Sequence, residues 1–226
     1  MLLLFPLHSP FFYTKMSLVI FEVKYLEQNL EIEFKNELTE EEYTLLVKKE
    51  FEGLSHSKHM TFQTNYYFDT IDQLLKNQSS VLRIRVTEAN NELTFKVPNQ
   101  GFLMESNYNL TEDQVTEILQ SRSLQLSSYI SPTLSIPALD HISGDTVFKL
   151  RNQFQTKRLE KQVGEHLIVL DQTTFQNGIV DYELEVEATE AKSGQLFMNT
   201  LLENYGISSR KSLPKIARAE RFKDKI

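Results

Sequence analysis

Leu30-Glu31-Ile32-Glu33-Phe34-Lys35 alternates apolar and charged residues, the period-2 pattern of a β-strand. Successive strand side chains face opposite sides, so Glu31, Glu33 and Lys35 share one face while Ile32 and Phe34 share the other. The same division recurs down the chain. Arg83 and Arg85 oppose Leu82, Ile84 and Val86; Lys96 opposes Phe95 and Val97; Glu183, Glu185 and Glu187 oppose Leu184 and Val186. A single strand of this kind fits an antiparallel sheet with one solvated face. A solvated face, however, usually mixes Ser, Thr, Lys and Glu, whereas here like charges sit at i and i+2, about 6.7 Å apart by strand rise. Like charges on one sheet face repel, and their repetition calls for compensation: metal for the Glu sets, a polyanion for the Arg pair. A barrel with its polar face inward and its apolar face under helices accommodates both.

Working outward, Thr39 with Glu42 forms a capping box, and Tyr43, Leu46, Val47 and Phe51 recur at helical spacing until Gly53. Thr61 to Asp69 reads as an aromatic, β-branched strand. Val81 to Glu88 and Glu92 to Val97 read as strands joined through Ala89-Asn90-Asn91, with another strand from Gly101 to Leu110. Thr111 with Gln114 starts a second capped helix. Residues 121–146, rich in Ser and Pro, read as a helical connector or a mobile loop. Lys149 to Arg158, His166 to Asp171 and Val180 to Glu187 are strand-like, with a tight turn at Asn177-Gly178. A helix from about Ser193 ends at Gly206, and Leu213 to Phe222 reads as a short helix. About eight strands and four helices in this order suit an antiparallel α+β barrel better than a doubly wound parallel sheet.

Composition narrows the chemistry. The 226 residues contain no cysteine, which excludes disulfides and thiolate metal sites. The abundance of Asp and Glu favours hard cations such as Mg²⁺, Mn²⁺ or Ca²⁺. A net charge of −7 argues against a general nucleic-acid binder, so the positive charge needed by an anionic substrate must be concentrated locally. Residues 1–27 read as an N-terminal extension, with Met16 a candidate true start and a poorly formed secretion signal the alternative; residues 28–226 read as one domain. No stretch reaches the ~20 apolar residues of a membrane helix, so a cytoplasmic protein is expected. His8, His56, His59, His141 and His166 belong to no metal or triad motif, and His56-Ser57-Lys58-His59 reads as a solvated loop rather than a zinc site. There is no Walker loop and no G-x-G-x-x-G. Tyr66, Tyr67 and Phe68 read as packing residues rather than a platform for a base.

Glu31-Ile32-Glu33-Phe34-Lys35 resembles the E-x-E-x-K signature of the CYTH family, also called triphosphate tunnel metalloenzymes. The resemblance continues in order through Tyr66-Tyr67-Phe68-Asp69-Thr70, Leu82-Arg83-Ile84-Arg85, Leu93-Thr94-Phe95-Lys96, Lys157-Arg158, Leu170-Asp171, Tyr182-Glu183-Leu184-Glu185-Val186-Glu187 and Pro214-Lys215-Ile216-Ala217-Arg218. It spans roughly residues 28–220 and is closest in pattern to the short bacterial, YjbK-like branch. It implies an eight-stranded antiparallel tunnel with helices outside, acting on a triphosphate with Mg²⁺ or Mn²⁺. By position it implies metal ligands at Glu31, Glu33, Glu183 and Glu185, and phosphate-gripping groups at Lys35, Arg83, Arg85, Lys96, Arg158 and Lys215. Glu31, Glu33 and Lys35 are the catalytic candidates, with Glu105 and Asp171 as further candidates. The motif starts at residue 31 rather than near the terminus, and Pro214 stands where the family usually has Ser, which makes Lys211 a rival to Lys215.

The expected reaction is in-line attack of water on a terminal phosphorus, with inorganic tripolyphosphate giving phosphate and pyrophosphate. Thiamine or nucleoside triphosphate hydrolysis, class IV-type adenylate cyclase activity, a sensor of a phosphorylated metabolite and a plain protein-interaction sheet are the competing readings. No nucleic-acid or membrane partner is expected, and a homodimer is left open.

Overall fold

Thr39 accepts a hydrogen bond from the Glu42 amide, and the Glu42 carboxylate accepts one from the Thr39 amide at 2.8 Å, so the expected capping box starts α1, Glu40–Glu50. In this computed structural model, which describes residues 27–54, 59–129 and 142–223, that helix follows β1 (Glu27–Glu31) and β2 (Glu33–Leu38). The remaining elements are β3 (Met60–Asp69), α2 (Leu74–Asn77), β4 (Val81–Val86), β5 (Asn91–Asn99), β6 (Phe102–Leu110), α3 (Glu112–Ser121), β7 (Ser123–Gln125), β8 (Val147–Val163), β9 (His166–Phe175), β10 (Val180–Glu187), α4 (Ala191–Tyr205) and α5 (Lys215–Lys223). The readings for residues 1–26, His8, His56 and His141, and the part of the Ser/Pro-rich connector at 130–141, fall outside the described residues.

The sheet runs β1-β6-β5-β4-β3-β8-β9-β10-β2, antiparallel at every step, with the short β7 beside the start of β8. Its two end strands are consecutive in the chain. β1 pairs with β6, β2 pairs with β10, and Ile32 joins them, its carbonyl accepting from the Ala188 amide at 2.9 Å. The sheet therefore curls back on itself through one segment. The strand read as continuous from Leu30 to Lys35 is broken at Ile32, because its two halves pair with different neighbours. That break turns the expected eight-stranded barrel into a path of nine.

The apolar faces are covered from outside. Leu184 and Val186 of β10, Ile168 and Leu170 of β9 and Leu38 of β2 form one core with Tyr43 and Leu46 of α1 and Met198, Leu201 and Leu202 of α4. Leu82, Ile84, Leu93 and Phe95 form another with Val115 and Ile118 of α3, Leu75 of α2 and Phe148. A third, smaller cluster lies on the opposite, inward parity: Tyr67, Phe154 and Phe175 meet Ala219, with Ile216 and Phe222 of α5 beside them. The C-terminal helix thus packs against inward-facing aromatics of the barrel. α2 escaped the sequence pattern because it is four residues long; its start is held by Asp69, whose carboxylate accepts from the Leu75 and Lys76 amides at 2.9 and 3.1 Å. Five α-helices rather than four appear among the described residues, with a short 3-10 turn at Leu126–Ser128. None of them is long and apolar enough to cross a membrane.

Gly194 seats α4 on the barrel. A Cβ there would lie 2.6 Å from the Ala188 Cβ and 2.7 Å from a Phe34 ring carbon. Gly194→Ala gains about 1 kcal/mol of helix propensity, but overpacking of this kind costs about 1–3 kcal/mol and two contacts are violated. The expected net result is a melting temperature lower by roughly 3–6 °C. An unchanged or higher value in a thermal melt would mean that α4 does not pack this closely.

Candidate active site

The inward faces of β1–β6 and β8–β10 enclose a cavity of about 890 Å³. Glu31, Glu33, Lys35, Arg83, Arg85, Lys96, Glu105, Arg158, Asp171, Glu185, Lys211 and Lys215 all line it. Glu183 does not touch the open space; it is completely buried behind Lys215 and Arg218. The alternation seen in the sequence brings the strand residues together, because each stands at inward parity on its own strand, while Lys211 and Lys215 reach the cavity from the C-terminal segment and its helix.

Strand register makes the acidic side of the cavity. Asp171 lies directly opposite Glu183 across β9 and β10, and opposite Arg158 across β8 and β9; Glu185 lies opposite Lys35 across β10 and β2. Asp171, Glu183 and Glu185 each present a carboxylate oxygen within 4.8 Å of the others. Three buried anions this close are tolerable only with cations among them. Arg158 forms a two-pronged bond to Asp171 at 2.8 and 2.7 Å and reaches Glu185 at 2.8 Å. Lys215 lies 2.9 Å from Asp171 and 2.6 Å from Glu185, and contacts Glu183. Lys35 bridges Glu33 at 2.8 Å and Glu185 at 3.3 Å. Burial alone would raise the carboxyl pKa values. Arg158 and Lys215 nevertheless hold Asp171 below the usual range, and Lys215, Lys35 and Arg158 hold Glu185 well below it. Burial opposes the charge on Lys215, but the three carboxylates keep its ammonium charged far above ordinary pH.

Across the cavity, Lys96 is shared by Glu31, at 2.5 and 2.6 Å, and Glu105, at 2.6 Å. Burial pushes Glu31 up to about 7, with Lys96 countering only in part and Glu33 and Glu105 adding to the rise. Glu105 resists its own burial because Lys96 and Arg83 hold it down to about 2. Glu31 and Glu33 therefore sit on the same cavity as the Asp171–Glu183–Glu185 group but outside that oxygen triangle.

The guanidiniums of β4 have fewer partners. Arg83, 6% exposed, donates to Thr94 at 3.0 Å, has Glu92 at 4.0 Å, and leaves its Nε without a hydrogen bond. Arg85 donates to the neutral Asn65 at 3.3 Å. Burial, then the nearby Arg83 and Arg158, pull Arg85 down to about 10.

Lys211 and Lys215 both border the cavity, but Lys211 is exposed and bridges Asn36 through its backbone, whereas Lys215 enters the acidic group. The sequence reading quoted Arg218 without giving it a role. It is 4% exposed and donates to Asp181 at 2.7 Å, to Glu183 and the Ser212 hydroxyl at 2.5 Å, and to the Leu213 carbonyl at 2.7 Å. Its spacing of three from Lys215 on one helix was the available signal, since residues i and i+3 share a helix face. Ser212, which donates to Glu183, carried no such signal.

Comparison with known proteins follows the same outline. The CYTH domain family model matches residues 29–219. The Bacillus subtilis protein named "Putative triphosphatase YjbK" is 32% identical over 200 residues, covering 85% of this chain and 95% of the relative. Among solved structures, a "putative adenylate cyclase" from Bacillus halodurans superposes with a TM-score of 0.73 at 29% identity, over 84% of this chain and 97% of its own. A Hippeastrum protein described as a "putative adenylyl cyclase" with a dominant triphosphatase activity shares the fold, with a TM-score of 0.67 at 22% identity over 85% of this chain and 96% of its own.

Glu185→Gln tests the ionic set. A carboxylate with a depressed pKa stabilises the fold fully above its unfolded value, near ~4.3, and that stabilisation is lost as pH falls through the folded value. In chelator, the wild type should lose stability steeply between about pH 5 and pH 2. Glu185→Gln should be less stable at pH 7 by roughly 3 kcal/mol, with a shallower slope in that acid range. Equal denaturation midpoints at pH 7 would contradict the assigned pairing.

Proposed function

This chain belongs to the CYTH domain family, and from that membership we propose that it is a metal-dependent triphosphatase that hydrolyses inorganic tripolyphosphate to phosphate and pyrophosphate. The observation that carries the proposal is the pair of guanidiniums on β4. Arg83 is buried with Glu92 4.0 Å away, Arg85 is half-buried beside it and donates to the neutral Asn65, and a cation removed from water with little anionic compensation is costly. A polyanionic ligand supplies what they lack, and guanidinium forks match phosphoryl oxygens.

The acidic side fits a divalent cation. Its donors are hard carboxylate oxygens in a triangle under 5 Å, and a lysine ammonium already stands among them as a stand-in ion. Asp171, Glu183 and Glu185 would hold the metal, with Glu31 and Glu33 as the further ligands that the E-x-E-x-K resemblance suggests. Mg²⁺ and Mn²⁺ are the ions of choice. When bound, such an ion draws charge from the phosphate oxygens and favours displacement at phosphorus.

The chain's own groups do the rest. Arg83, Arg85, Lys96 and Arg158 bind and straighten the phosphate chain. Glu31 and Glu33 line the same cavity and would help hold the metal and orient the attacking water. Tyr67, Phe154 and Phe175 pack against α5 and form an apolar floor beside the charged groups. The aromatic triplet is committed to packing: Phe68 is in an outer core with Tyr66 against it, and Tyr67 stacks on Phe154 at 5.0 Å. That leaves no aromatic of the triplet free to stack a base and favours an inorganic triphosphate over a nucleotide.

Phosphate release should be measured with tripolyphosphate, ATP and thiamine triphosphate, each with Mg²⁺, Mn²⁺ or chelator. The expected result is metal-dependent turnover fastest with tripolyphosphate. Tight binding without release would indicate a sensor, and preference for an organic triphosphate would shift the substrate assignment. Arg85→Met gives a sharper signature. Losing one charge-assisted contact, worth about 1.5–3 kcal/mol, should raise KM roughly tenfold or more. The same change removes a poorly compensated, half-buried charge and should raise the melting temperature. A lower melting temperature with unchanged KM would make Arg85 a structural residue.

A further inference from the structure

Lys215 and Arg158 serve the same carboxylates but are held differently. Arg158 stands mid-strand on β8, locked by a two-pronged bond to Asp171. Lys215 is the first residue of α5, directly after Pro214, and meets Asp171, Glu183 and Glu185 with one compact ammonium on a flexible stem. Its side chain, 12% exposed, also borders the open cavity that contains Arg83 and Arg85. Beyond its first turn, the helix does not depend on Lys215 for its position. Arg218 anchors it independently to Asp181, Ser212 and the Leu213 carbonyl, and Ala219 packs on the aromatic floor.

Resting on the metal-dependent reading above, we infer that Lys215 is a displaceable placeholder: a divalent cation entering the Asp171–Glu183–Glu185 triangle evicts its ammonium and releases it to the phosphate side of the cavity. The triangle, with all oxygens within 4.8 Å, is too small to seat both cations without direct like-charge contact. The carboxylates do not lose all other support when Lys215 leaves, because Arg158 stays on Asp171 and Glu185, Lys35 on Glu185 and Arg218 on Glu183. Metal loading then adds a phosphate-binding cation to the cavity, and linkage requires that phosphate capture by Lys215 strengthens metal binding in return. The device also protects the empty enzyme, since the acidic group is never left without its cation.

The test is calorimetric titration of Mn²⁺ into full-length wild type and Lys215→Met in the absence of any phosphate. The variant has no ammonium to evict and should bind Mn²⁺ at least about tenfold more tightly, while binding tripolyphosphate more weakly once metal is present. Mn²⁺ should also raise the melting temperature of the variant more than that of the wild type. Should the variant fold poorly, hydrogen exchange on the wild type gives the second readout. Adding Mn²⁺ should speed exchange at the Ala217 and Arg218 amides, which bond to the Pro214 carbonyl in the first turn of α5. Equal or weaker Mn²⁺ binding by Lys215→Met, or slowed exchange in that turn, overturns the inference and leaves the triphosphatase reading standing. Failure of both proteins to bind Mn²⁺ overturns both.

Discussion

The contact between the Lys215 and Arg158 cations and the carboxylates of Asp171, Glu183 and Glu185 is the constraint on which the rest of the molecule turns. Glu183 is fully buried and Glu185 is 2% exposed, so these charges have left bulk water. Removal from water costs several kcal/mol per ion, and only close, well-oriented partners offset it. Such partners come from β8, β9, β10 and α5 together, which requires a sheet that closes and a helix that folds back over its end. An open sheet with one solvated face would leave the same carboxylates wet. Their burial is therefore the physical difference between a tunnel enzyme and an ordinary antiparallel interaction domain.

Much of this was legible in the sequence because a strand has an exact parity. Alternation in β2, β4, β5 and β10 assigned each charged residue to the inner face, and the capping boxes at Thr39 and Thr111 fixed two helix starts. Three features lay beyond that reading for identifiable reasons. The break at Ile32 depends on which strands flank each half of the segment, a long-range property that local periodicity does not carry. The short α2 has no apolar period and is held by the carboxylate of Asp69 from the preceding strand. The separation of Glu31 and Glu33 from the oxygen triangle of Asp171, Glu183 and Glu185 depends on barrel curvature, whereas alternation put only Glu31 with Glu33 and Glu183 with Glu185 on charged faces and the family resemblance alone suggested Asp171. Arg218 was hidden by its neighbour Lys215, although both lie on the same helix face.

The interior is divided electrostatically. Towards β9 and β10 every buried carboxylate of the triangle has at least one cation, and each of those cations serves more than one anion. Towards β4 the guanidiniums have neutral or distant partners, and burial with the neighbouring Arg83 and Arg158 lowers the pKa of Arg85. One wall is thus complete only with a cation, whether lysine or metal, and the other only with an anion. That arrangement stabilises the fold less than a matched interior would, in keeping with the general trade between active-site electrostatics and stability. It also reconciles the proposed polyanionic substrate with a net charge of −7: the positive field is local and focused in a low-dielectric cleft.

The most direct test of this account is diffraction at the manganese edge from crystals holding both Mn²⁺ and tripolyphosphate. The account predicts an anomalous peak inside the barrel against the carboxylate oxygens of Asp171, Glu183 or Glu185, with phosphate density on the guanidiniums of Arg83 and Arg85. Manganese and polyphosphate found on the outer surface, with the cavity's ion pairs undisturbed, would contradict it.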